Sequence, residues 1–92
     1  MSAAFTIDPR WPIEEALLDV DAKLIAYGQS PKAVRLSPDD YDALAVVAKR
    51  GCSVLAIAPP SSLVMRGHNG AIQIVRDEAL RPSLTIWEVR AQ

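Results

Sequence analysis

Cysteine is nearly absent from this chain. Cys52 is the only one, so no intramolecular disulfide can form, and the usage fits a reducing compartment, the cytoplasm. Histidine is equally scarce, with His68 alone. A metal site draws on about three or four His, Cys or carboxylate ligands at workable spacing. Without a CxxC or HxxxH pattern the sequence predicts no metal and no cofactor. Aromatic residues number five, Phe5, Trp11, Tyr27, Tyr41 and Trp87, so the core must be mainly aliphatic. No apolar run nears the roughly 20 residues of a membrane span, and no membrane partner is expected. Residues 1–10 lack the basic segment and apolar run of a signal peptide. Charge of one sign is also missing. Ten Lys and Arg against eleven Asp and Glu give a net charge of −1, unlike the basic excess of a general nucleic-acid binder. A balance so near zero also opposes self-association very little.

The chain's 92 residues, half of them apolar, suit one small domain. A domain of this size buries only about 60–70% of its unfolded surface, so each core side chain matters. Residues 1–11 read as an N-terminal arm and 12–92 as a single α+β domain. The arm carries Phe5, Ile7 and Trp11, apolar groups that must fold back on the core or dock onto a neighbour.

Pro12 suits a first helical turn, Glu14 and Glu15 complement the helix dipole, and Gly28 supplies a left-handed stop. Ile13, Leu17, Val20, Leu24 and Tyr27 recur at spacings of four and three, widened by Leu18 and Ile25, which predicts an amphipathic helix over 12–27. Residues 33–36 read as a short strand. Ser37, Pro38, Asp39 and Asp40 then cap and start a second helix. Its face is Tyr41, Leu44, Ala45 and Ala48, and it ends at Gly51. Residues 52–58 read as a buried strand. The glycines and Asn69 of 67–70 predict a hairpin. With Arg66 opposite Ala71, Leu63, Met65, Ile72 and Ile74 share one face, and Val64, Gln73 and Val75 the other. A last strand covers 84–90. The expected architecture is two helices on one face of a small mixed or antiparallel sheet of about four to five strands.

In that last strand Thr85, Trp87 and Val89 point one way, and Leu84, Ile86, Glu88 and Arg90 the other. Both faces are partly apolar, whereas a sheet covered on one side should show one polar face. The second face is therefore expected to meet the arm or another copy, with Trp11, Leu84, Ile86 and Trp87 as the contact residues of a homo-oligomer.

Candidate chemistry is thin. His68 between glycines reads as a solvated turn residue, and Cys52 as a small core side chain rather than a thiolate nucleophile paired with His68. Asp39 and Asp40 read as helix caps, because a helix N-terminus lowers carboxylate pKa values instead of raising them. Arg66 and Arg76, together with Arg81 and Arg90, could line a nucleic-acid surface with Trp87 as a stacking group. No recognition motif accompanies them. No small-molecule substrate is indicated, and the sequence predicts no enzyme.

One stretch resembles a known family. The string AVRLSPDDYDAL, followed downstream by GAIQIVRDEAL, resembles the P-domain end of tailed-phage major capsid proteins and encapsulins. It covers about half of the chain, 34–80. The resemblance implies a phage-related structural or accessory protein, cytoplasmic or virion-associated, with no catalytic residues. Capsid subunits carry a second domain and an extended loop for which this chain has no room. The segment LSPDDYDAL also resembles part of small dimeric antitoxins that bind DNA. Those end in a disordered toxin-binding helix, whereas this chain ends in strands.

Overall fold

The computed structural model describes residues 1–58 and 62–91. The elements run β1 (Ser2–Thr6), α1 (Ile13–Ala26), β2 (Gln29–Leu36), α2 (Pro38–Lys49), β3 (Leu55–Ala58), β4 (Ser62–Gly67), β5 (Gly70–Arg76) and β6 (Leu84–Ala91). All six strands join one mixed sheet in the order β1-β6-β2-β5-β4-β3. Only β2 and β5 pair in parallel. The class is α+β, with more strands than the sequence predicts.

The added strand is the arm. Residues 2–6 pair antiparallel with β6, Ser2 opposite Glu88 through Thr6 opposite Leu84. Ile7, buried, then donates its backbone N–H to the Ser83 carbonyl at 2.8 Å. The arm thus extends the sheet at its edge instead of lying across a face. β2 begins earlier than expected, at Gln29, and tolerates Pro31 because the register shifts between Pro31 and Ala33, a bulge that relieves the missing donor. β3 is shorter than predicted and lies at the other edge. Ala56 and Ile57 are exposed there, so it is not a buried strand. Arg66 does pair with Ala71, and Leu63, Met65, Ile72 and Ile74 are all buried on one face. Prolines and serines at 59–62 predict a break after the third strand; of these, residues 59–61 lie outside the described residues.

Both helices cover that same face. Leu17, Val20 and Leu24 of α1 and Leu44 of α2 pack with Val34, Leu36, Met65, Ile72, Ile74, Trp87 and Val89 in one core. Tyr27 departs from the predicted stripe. It caps α1 and is 80% exposed, because the chain turns away at Gly28, whose φ is +78°. α2 starts as its sequence dictates. The fully buried Ser37 accepts the Asp40 backbone N–H on Oγ at 3.2 Å, with Pro38 next. Ser37→Ala should lower unfolding free energy by about 1 kcal/mol, read as a shift in urea midpoint at constant slope. A change inside ±0.2 kcal/mol or so would show that the cap carries no such weight.

Candidate functional site

Strand alternation sorts the side chains of this two-layer domain into a helix side and an open side. Opposite each other on the open side stand Ala4 and Ile86, Ile86 and Arg35, Glu88 and Ala33, Ala33 and Gln73, Gln73 and Val64, and Val64 and Ala56. No described helix covers this face. Its apolar members are Leu84 and Ile86, both half-buried, Val75, which is 37% exposed, and the half-buried Val64. Arg35 spans the centre. Its Nη2 lies 3.4 Å from Glu88 Oε1 and its Nη1 3.8 Å from Asp77 Oδ2. Toward the β3 edge, Val54, Ala56, Val64, Arg66 and Ala71 line a shallow cavity of about 260 Å³.

Charge follows the same division. The two helices carry seven carboxylates against two lysines. The strands carry five basic side chains, Lys32, Arg35, Arg66, Arg76 and Arg90, against Glu88 alone. Arg76 opposes Leu36 and so projects to the helix side, where it pairs with Asp42 of α2 and with Glu78. Hydrogen bonding to Asp42 raises its already high pKa further. The remaining strand cations are on or around the open face, Lys32 beside Glu88 and Arg90 at the rim.

The residues predicted for a partner or for nucleic acid are therefore not brought together. Leu84 and Ile86 are on the open face. Trp87 is not: it is 0% exposed in the core, its Nε1–H donating at 2.8 Å to Thr85 Oγ1, whose hydroxyl donates to the Phe5 carbonyl. An indole so enclosed touches no neighbour and stacks on no base. Trp11 is half exposed, but it lines a groove with Phe5, Ala16 and Val20 on the helix side. Arg66 and Arg76 project to opposite sides of the sheet, so they form no common surface.

One constellation had no counterpart in the expectations from sequence. Asp21 of α1 is completely buried, and its Oδ2 accepts two bonds from the β4–β5 turn, the His68 backbone N–H at 2.9 Å and His68 Nδ1–H at 2.6 Å. Asp21 Oδ1 is buried without a partner among the described residues. Gly67 permits the approach: a Cβ there would lie 2.6 Å from Ile72 Cδ1 and 3.2 Å from Asp21 Oδ2. His68 is thus a tethered turn residue, not a freely solvated one. The available signal was Asp21 itself, a carboxylate on the stripe of Leu17 and Leu24, where charged residues are rare unless paired. The carboxylate orients the imidazole and leaves Nε2 outward. No hydrogen bond joins Cys52 to His68, and no group of three His, Cys, Asp or Glu could hold a metal among the described residues. Asp39 is exposed, and Asp40 accepts the Ser83 backbone N–H on Oδ2 at 2.8 Å. No described helix is long and apolar enough to cross a membrane.

These features define a two-layer α+β domain with an acidic helix layer and an open, basic-rimmed sheet face. No family model, curated protein or solved structure matches the chain.

Proposed function

We propose that this protein is a non-enzymatic structural or interaction module that self-associates through the open face of its sheet. The carrying observation is that face: Leu84, Ile86, Val75 and Val64 lie on the side of a six-stranded sheet that no described helix covers. Partly apolar surface of this kind is where association is most favourable. The resemblance of 34–80 to phage capsid segments supports an assembling role, in the cytoplasm or on a virion.

Ile86→Glu tests the reading. Ile86 opposes Arg35, so the new carboxylate has a cation beside it and the monomer should remain folded. Light scattering over a concentration series should show a wild-type oligomer and a variant of monomer mass with unchanged circular dichroism. An unfolded variant, or one that assembles like wild type, would remove the face from the interface.

The basic rim also favours a second reading, an antitoxin-like DNA-binding regulator. It stands behind the first because the open face presents no aromatic side chain for stacking and Arg76 is committed to Asp42.

A further inference from the structure

We infer that the open sheet face receives the acidic helix layer of a second copy, so that subunits join head to tail. The inference rests on the self-association reading above and specifies its geometry. Two copies meeting face to face would bring Lys32, Arg35, Arg66 and Arg90 of each against the same four of the other, with Glu88 and Asp77, both paired with Arg35, to offset them. Like charges so juxtaposed disfavour an isologous contact. The complementary surface exists on the same molecule. Glu15 on α1 and Asp39 on α2 are exposed and outside any ion pair among the described residues, and the exposed Val46 and Tyr27 give that layer apolar contact as well.

Size agrees. The molecule measures 32 × 25 × 23 Å, so one whole face offers roughly 800 Å², the share each partner contributes to a standard interface. A head-to-tail contact uses different surfaces on each subunit and leaves one of each free. It therefore propagates into a ring or a filament instead of stopping at a dimer.

The test is complementation between two broken surfaces. Arg66→Glu with Arg90→Glu spoils the sheet face and leaves the helix layer intact. Glu15→Ala with Asp39→Ala does the reverse, without creating a basic patch that would attract the charge-reversed sheet face. Circular dichroism checks both folds, and Lys32→Glu with Arg90→Glu replaces the first pair if it fails to fold. Wild type should form oligomers larger than a dimer that shrink as salt rises. Each variant alone should be monomeric, and a 1:1 mixture should give a complex of twice the 10.0 kDa monomer mass and nothing larger. A wild type that assembles while the mixture stays monomeric would overturn the head-to-tail arrangement and leave sheet-face association standing. A wild type that is monomeric at every concentration would remove both. If wild type and the helix-layer variant shift mixed-sequence DNA and the sheet-face variant does not, the face belongs to nucleic acid and the inference fails.

Discussion

Trp87→Ala should lose about 3–5 kcal/mol of stability, most of what a small domain possesses, and should leave the protein largely unfolded. Trp87 is the largest fully buried side chain in the molecule. It lies at the middle of β6, and β6 separates β1 from β2. Truncation opens a cavity in the core and strips Thr85 Oγ1 of its donor. Trp87→Phe keeps most of the volume and loses the indole hydrogen bond, so it should cost about 1–2 kcal/mol. Urea titration followed by circular dichroism separates the two. Association by wild type that Trp87→Phe abolishes without loss of stability would return Trp87 to an interface and contradict its place in the core.

The tether between α1 and the β4–β5 turn should give the second large effect, with an asymmetry. His68→Ala leaves the buried Asp21 carboxylate with the His68-position backbone N–H as its remaining bond. Breaking a buried charged pair from one side costs about 3–5 kcal/mol; because the imidazole is 56% exposed, we expect the lower end, about 2–3 kcal/mol. Asp21→Asn keeps an acceptor for that N–H and removes the buried charge, so it should cost less. The double variant should be more stable than His68→Ala alone. A double-mutant cycle in urea measures this coupling. Additive effects would mean that the pair is only adjacent, and a double variant weaker than either single would show that the charge itself is not the burden.

What could be read from the sequence was whatever neighbours in the chain decide. α2 was legible because Ser37, Pro38, Asp39 and Asp40 act within one turn. The register of Arg66 against Ala71 was legible because a short turn leaves little choice. β1 was not, since Ser2, Ala3 and Ala4 have weak strand preference and their partners are more than eighty positions away. The start of β2 was hidden by Pro31, whose cost is met by a bulge that only the paired strand reveals. At the site, alternation set Leu84 and Ile86 on the face opposite Trp87 but could not say which face the helices would take, so residues of both faces were grouped as contacts. The separation of Arg66 from Arg76 follows from the same parity and the same missing choice. The seven acidic residues on two helices were visible throughout, yet their opposition to the basic strands becomes a surface only once the layers are stacked.

The order β1-β6-β2 also constrains how the protein is made. Residues 84–91 are the last strand in sequence, yet they sit between the first two. Until they have left the ribosome, Ser2–Thr6 has no strand to join and one edge of Gln29–Leu36 stays unpaired. Until residues 84–91 are made, the nascent chain therefore carries two unpaired edges. Insertion of that one strand joins β1 to β2 and completes the open face.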